Sequence, residues 1–338
     1  MLTPAEADSL FALLRALKAQ GRTVILITHK LREIMAVSDR VSVMRRGAMV
    51  AHFETAMTSP AEIAQAMVGR RVLLRVEKPP HSPGKPVLEV AGLGHADARG
   101  VPLLAEVSLT LHAGEIVGIA GVAGNGQSEL LEVLAGLLQP SGGTIRLDGR
   151  ELTAADRQPA RLRHLGMMHI PEDRQRAGLV TPFPAAENAI LGYQHDLAYG
   201  TGPFLSPGRI AAHARQAFAA YDVRPPEPAL KTAKFSGGNQ QKIVLAREIE
   251  RAPKVLLVGQ ATRGVDIGAI EAIHRRLIAL RDQGVAILLV SVELDEIMAL
   301  SDRILAMCGG RITGERAGGT AEERDLGLLM AGESERAA

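Results

Sequence analysis

Two rhythms of apolar residues run through this chain, one at helical spacing and one in short unbroken blocks. Thr3-Pro4-Ala5-Glu6 reads as a capping box with proline at the first helical position, and Leu10, Leu13, Leu14 and Leu17 follow as an apolar stripe. The pattern predicts a helix from almost the first residue, closed by Gly21. Val24 to Ile27 is then an apolar block predicted as a buried strand, with His29 at its end and a short helix through Leu31, Ile34 and Met35 beyond it. Together these read as one strand-helix unit of a parallel sheet. Farther along, Val87 to Val90 alternates, and Leu103, Val107, Leu109 and Leu111 extend the pattern into a small strand-rich lobe. Blocks at Ile116–Ala120, Gly166–His169 and Val255–Val258 predict further strands. Leu130, Leu131, Val133 and Leu134 mark one helix, and Ile243 to Ala246 with Ile249 mark another. Residues 181–230 mix helix and loop signals with little strand character.

The text repeats itself. TVILITHKLREIMAVSDRVSVM, beginning at Thr23, returns as AILLVSVELDEIMALSDRILAM at Ala286, with Asp39 matching Asp302, an offset of 302 − 39 = 263. The register holds without a gap from Leu2 and Val265 to Gly69 and Gly332. One long offset of this kind indicates a duplicated domain rather than a short solenoid repeat. Residues 87–264 have no earlier counterpart, so residues 1–76 are expected to be the C-terminal remnant of a first copy. EKPPHSPGKP, residues 77–86, reads as an extended linker. The second copy is expected over 87–332, with a tail at 333–338.

Length suits two domains, or one large domain and a fragment. With 39 basic and 37 acidic residues the charge balance is nearly neutral. It gives no footprint for nucleic acid or a polybasic membrane anchor, so no nucleic-acid partner is expected. Cys308 is the single cysteine, which excludes an internal disulfide and suits a reducing compartment. No apolar run approaches the roughly 20 residues that span a bilayer, and the start reads as a capped helix rather than a signal peptide. Membrane association is expected to come through a partner.

Three segments carry the chemistry. Gly121-Val122-Ala123-Gly124-Asn125-Gly126-Gln127-Ser128-Glu129 stands between a predicted strand and a helix, the context of a glycine-rich phosphate loop. Its glycines would let backbone amides surround phosphates, and Ser128 would offer a hydroxyl to magnesium. Gln127 stands where such loops carry lysine. A neutral amide still donates a hydrogen bond, but it forfeits a charge interaction of about 4 kcal/mol at about 4 Å in a surface-like dielectric. A plain strand-turn-helix junction is the competing reading. Phe235-Ser236-Gly237-Gly238-Asn239-Gln240-Gln241-Lys242 opens another helix, whose amides and positive dipole end suit an anion, against the plainer reading of a helix cap. After Val258, a position suited to an acidic pair holds Gly259-Gln260. Gln260 can orient a water but cannot take its proton, a role worth roughly 10² to 10⁴ in rate.

FSGGNQQKIVLARE resembles the signature loop of ATP-binding cassette (ABC) ATPases, and the likeness covers essentially the whole chain. It implies an α/β P-loop cassette with a parallel-sheet core, an antiparallel lobe and a helical subdomain, preceded by the remnant of a first cassette. It also implies ATP and Mg²⁺ as ligands. His29 falls at the family's switch-histidine position, whereas its repeat counterpart is Val292. Asp266 follows the loop toward a partner cassette and is an interface candidate, with ordinary helix capping as the alternative. Glu172-Asp173-Arg174 stands near the family's nucleotide-sensing glutamine, with a solvated charge cluster as the alternative.

Among such ATPases the chain looks like the tandem-cassette subunits of nucleoside and simple-sugar importers. GNGQSEL with GQATRG leans to the nucleoside branch rather than the ribose and galactose branch. The resemblance implies two membrane permeases, a periplasmic or lipoprotein substrate-binding protein and a peripheral place on the cytoplasmic face of the plasma (inner) membrane. Gln127, Ser128 and Gln260 would build a degenerate site. The signature loop, with His29, would complete another site whose phosphate loop comes from the missing first-cassette segment or another ATPase subunit. The chain alone is therefore expected to hydrolyse ATP negligibly. A non-catalytic regulatory ATP-binding module, or a ribose/galactose-type sugar importer subunit, is the alternative.

Overall fold

The computed structural model describes residues 4–28, 30–45, 47–71, 76, 78–201 and 204–333, in two compact units: 1–76 with 266–272, and 77–265 with 273–338. Thr3, the expected cap, and His29, the expected switch residue, lie outside the described residues.

Unit one contains α1 (Pro4–Ala19), α2 (Leu31–Val37), the antiparallel pair β1 (Arg40–Arg45) and β2 (Ala48–Glu54), and α3 (Pro60–Val68). Period-two alternation turns Val41 and Val43 inward, where they meet Ile34 and Ile63 in a small core. The start of α3 is a complete capping box: Ser59 Oγ accepts from the Glu62 amide at 3.3 Å, and the Ser59 amide donates to Glu62 Oε2 at 2.9 Å. Gly69, at φ 85°, ends the helix in a conformation that glycine adopts without a Cβ penalty.

Unit two is built on two sheets. β3 (Pro86–Ala96), β4 (Pro102–His112), β6 (Gly142–Leu147) and β7 (Arg150–Glu151) form an antiparallel sheet in the order β4-β3-β6-β7. The larger sheet runs β14-β13-β5-β12-β11-β8 and uses β5 (Ile116–Ala120), β8 (Met167–Ile170), β11 (Val255–Gly259), β12 (Ala286–Val290), β13 (Arg303–Cys308) and β14 (Arg311–Ala317). Its first five strands by sequence are mutually parallel, and β14 closes the edge antiparallel to β13. Every residue of β5, β11 and β12 is buried, as central parallel strands require. The helices of the chain beyond α3 are α4 (Gln127–Leu134), α5 (Pro159–His164), α6 (Ala185–Asn188), α7 (Pro207–Ala220), α8 (Gly237–Ile249), α9 (Ile267–Asp282), α10 (Leu294–Leu300) and α11 (Glu323–Met330). Residues 181–230 hold α6, α7 and a pair of two-residue strands, β9 (Gly200–Thr201) and β10 (Phe204–Leu205).

The repeat is visible element by element. At the offset of 263, α1 falls on α9, α2 on α10, β1 on β13 and β2 on β14, each with the same bounds. One element breaks the correspondence. Val24 to Ile27, predicted as a buried strand, is irregular backbone, with Ile25 88% and Ile27 95% exposed. Their counterparts Leu288 and Val290 lie in β12 and are buried. The cause is the ladder: β12 is hydrogen-bonded by β5 on one side and β11 on the other. Among the described residues no strand is hydrogen-bonded to Val24–Ile27, so its backbone lacks the ladder that holds β12.

Candidate functional site

The phosphate-loop candidate connects the end of β5 to α4. Gly124 and Gly126 take φ of 89° and 102°, and Gly126 is also hemmed in: an added Cβ would stand 2.8 Å from the Leu103 carbonyl oxygen. Asn125 ties the loop to the β13–β14 turn, its side-chain oxygen accepting from the Gly309 amide at 2.9 Å. Gln127 is buried, and its Nε2 donates to the Val122 carbonyl at 3.1 Å. Its amide thus braces the loop from within, and a Cβ on Gly121 would fall 2.0 Å from that nitrogen. Glu129 lies in the first turn of α4.

Ser128 Oγ donates to Glu172 Oε2 at 2.7 Å, across from the end of β8. Burial first, and the charges of Glu129 and Glu132 after it, hold the Glu172 carboxyl above the usual carboxylate range, against the hydrogen bond from Ser128 and the charge of Arg263. A hydroxyl and a carboxylate at hydrogen-bonding distance form the hard-oxygen donor set that magnesium prefers. Among the described residues, no group of three His, Cys, Asp or Glu side chains forms a metal cage. The residues therefore fit a metal held by one or two protein oxygens together with a ligand's phosphates.

Gly259 ends β11, and Gln260 follows at φ 49° in the left-handed region. The Gln260 carboxamide oxygen accepts from the Val292 amide at 3.3 Å, and its backbone amide donates to the Val290 carbonyl at 2.9 Å. This residue laces the end of β11 to the end of β12. Nothing in that arrangement supplies a base.

At the second glycine loop Ser236 is the N-cap of α8, accepting from the Asn239 amide at 3.4 Å and from Asn239 Nδ2 at 2.8 Å. Asn239 Oδ1 accepts from the Arg224 amide at 2.7 Å. Gln240 is buried and donates to the carbonyls of Thr232 and Phe235, so it shapes the preceding turn. Gly237 and Gly238 remain partly exposed at the helix start. Arg174 reaches between two loops: Nη1 donates to the Arg263 carbonyl at 3.0 Å, and Nη2 would stand 2.4 Å from a Cβ on Gly237. Asp266 Oδ1 accepts from the Ala269 amide at 2.9 Å, the geometry of a helix cap for α9.

Sequence reasoning passed over a buried polar network beneath α8. Arg247 Nε donates to Glu248 Oε1 at 2.7 Å, Arg247 Nη1 to the Gly178 carbonyl at 2.7 Å, and the Tyr193 hydroxyl to Glu248 Oε2 at 2.7 Å. The available signal was the adjacent Arg247-Glu248 pair between the apolar run Ile243–Ala246 and Ile249, where unpaired charge is costly.

Residues 104–263 match the family model described as ABC transporter. The chain is 42% identical to the nucleoside import ATP-binding protein NupA of Lactococcus lactis subsp. cremoris over 98% of its length and 65% of that protein's. It is 44% identical to the guanosine import ATP-binding protein NupO of Bacillus subtilis over 100% of its length and 66% of that protein's. The chain belongs to the ABC ATPases. A nucleotide-free ATP-binding cassette from an ABC transporter superposes with a TM-score of 0.58 at 20% identity, covering 73% of this chain and 96% of the cassette, which shows the shared fold. A third relative of this ABC chain, the glucose import ATP-binding protein TsgD13 of Haloferax volcanii, is 43% identical over 98% of the chain and 60% of its own length. The chain spans about two thirds of the length of the curated relatives it matches. Among the described residues no helix is long and apolar enough to cross a membrane.

Proposed function

We propose that this chain is ATP-binding machinery of an ABC importer for nucleosides or simple sugars, peripheral to the cytoplasmic face of the membrane through two permeases that receive substrate from a binding protein. The observation that carries the reading is the identity of 42% and 44%, sustained over nearly the whole chain, to two proteins named for nucleoside and guanosine import. The similarity to a glucose-import protein supports the sugar alternative. In this reading ATP-Mg²⁺ sits at Gly121–Glu129, with loop amides around the phosphates and Ser128 beside the metal.

The site is degenerate. Gln127 spends its amide on Val122, and Gln260 spends its oxygen on Val292, so neither a lysine charge nor a carboxylate base is supplied at those positions. Ser236–Gln240 would serve a second site shared with another phosphate loop, and His29 would belong there too. Asp266 would lie at that shared interface while capping α9. The non-catalytic ATP-binding module is favoured over a self-sufficient ATPase by the same Gly259-Gln260 pair.

Purified chain in equilibrium binding with ATP, followed by a phosphate-release assay, tests this. Binding without measurable turnover is expected. Turnover of several per second, an ordinary enzyme rate, would overturn the degenerate-site reading.

A further inference from the structure

We infer that unit one is a receptor for one β-strand of another polypeptide: an apolar strand with glycine at its centre, inserted parallel between Val24–Ile27 and β1. Residues of this chain set both the register and the sequence type of that strand. Its binding does not depend on whether Gly121–Glu129 holds ATP.

The internal repeat supplies the occupied form. In unit two β5 lies between β12 and β13 and pairs in parallel with both. At the offset of 263 these flanking strands become Val24–Ile27 and β1. β1 pairs with β2 along one edge, and among the described residues no strand pairs with its other edge or with Val24–Ile27. Ile25 and Ile27 are almost fully exposed, and unpaired apolar backbone of this kind is a template for an incoming strand. A strand placed as β5 is placed gains two ladders at once. Val117 pairs with Leu288 and Arg303, and Gly118 with Leu289 and Ile304, so the incoming strand sets its second residue between Ile25 and Arg40 and its third between Leu26 and Val41.

Two further contacts read the strand in unit two, and unit one holds the residues for both. Asp302 grips the first residue of β5: its Oδ2 accepts from the Ile116 amide at 2.9 Å and its own amide donates to the Ile116 carbonyl at 2.8 Å, while its Oδ1 takes Arg281. Asp39 is the equivalent residue, and Lys18 holds its Oδ1, the oxygen that Arg281 holds in Asp302. Its Oδ2 is then the acceptor for the first amide of the strand. Gly118, at the middle of β5, lies so close to α10 that an added Cβ would stand 2.1 Å from Ser301 Oγ and 2.8 Å from Ile297 Cγ2. Ile34 in α2 and its C-cap Ser38 are the same side chains at the equivalent positions. The incoming strand therefore needs glycine there, which a merely greasy surface would not require.

The probe is a synthetic peptide with the sequence GEIVGIAG, that of residues 114–121, flanked by lysines for solubility. Its binding to the full chain is followed by fluorescence anisotropy, with amide exchange at Val24–Ile27 as the second readout. Saturable binding that slows this exchange is expected. The peptide carrying Gly118→Val, and a scrambled peptide of the same composition, should bind at least about tenfold more weakly through the overpacked contact and the lost register. Asp39→Ala in the chain, checked for a cooperative thermal transition, should weaken the unaltered peptide about tenfold by removing the acceptor for its first amide. Absence of saturable binding overturns the assignment, and so does equal binding of the glycine and valine peptides. Protection of Val24–Ile27 without peptide, rising with chain concentration, would make a second copy of this chain the occupant and overturn it as well.

Discussion

Tyr193 donates its hydroxyl hydrogen to Glu248 at 2.7 Å, and Glu248 is fully buried beside Arg247. Burial, with the Glu248 charge, raises the Tyr193 pKa, so the phenol stays a donor throughout the working range. Removing the cation strands a buried carboxylate, which costs about 3–5 kcal/mol, whereas losing one hydrogen bond to a charged group costs about 1.5–3 kcal/mol. Arg247→Ala should therefore lower unfolding stability more than Tyr193→Phe. Urea titrations of both variants check the order, and equal losses would contradict it.

The repeat offers a matched pair. Ile25 and Leu288 hold equivalent positions, yet Ile25 is exposed in irregular backbone and Leu288 is buried in β12. Leu288→Ala should cost about 2–5 kcal/mol through lost contacts and a cavity. Ile25→Ala should stay within about 0.5 kcal/mol, as for surface sites. Comparative thermal unfolding of this chain reads the contrast, and a large loss at Ile25 would show that it packs in solution.

That pair also explains what the sequence could and could not disclose. Helices and strands held by local signals were legible: the stripe Leu10, Leu13, Leu14 and Leu17 lies in α1, and the Val87–Val90 alternation lies in β3. Parallel strands form only with neighbours, so an apolar block such as Val24–Ile27 looks the same in writing whether or not its partners exist. An ion pair shows the same dependence. Lys18 meets Asp39 at 2.5 Å and Arg281 meets Asp302 at 2.9 Å at equivalent positions, but only Asp302 also accepts from an Ile116 amide. At the site, the glycine spacing pointed to the loop and the apolar block Val255–Val258 pointed to Gly259-Gln260, while the approach of Glu172 to Ser128 crosses 44 residues of sequence and required the sheet order.

His169 on β8 gives a pH prediction. Burial, reinforced by the charges of Arg163 and Arg247 and opposed by Glu248, pushes its imidazole down to about 4. The folded chain disfavours the proton while the unfolded chain binds it near 6.5, so this contribution is present above pH 6.5 and is lost progressively as pH falls toward 4. The slope is about 1.4 kcal/mol per pH unit inside that window. Denaturant midpoints between pH 4.5 and 7 should fall with acid in the unaltered chain and fall less in His169→Gln. Parallel curves for the two proteins would refute the assignment.

Unit one carries a simpler test. Ser59→Ala removes the acceptor for the Glu62 amide at the head of α3 and should cost about 1 kcal/mol. Ser59→Asp, which keeps a cap, should recover most of it. Amide exchange in the first turn of α3 reports the change directly, and unaltered protection would show that the cap is dispensable.

Arg174 sets a fixed clearance. One guanidinium nitrogen is anchored on the Arg263 carbonyl, and another fills the space over Gly237. The planar group works as a spacer bar: shortening it would let the head of α8 sag toward the 261–264 loop, and thickening Gly237 would wedge the two apart. Lysine would keep the charge and lose the bar, because a single ammonium cannot span both ends with a rigid fork. Whatever tilts the 261–264 loop must carry the leading edge of α8 with it, as one mechanical part.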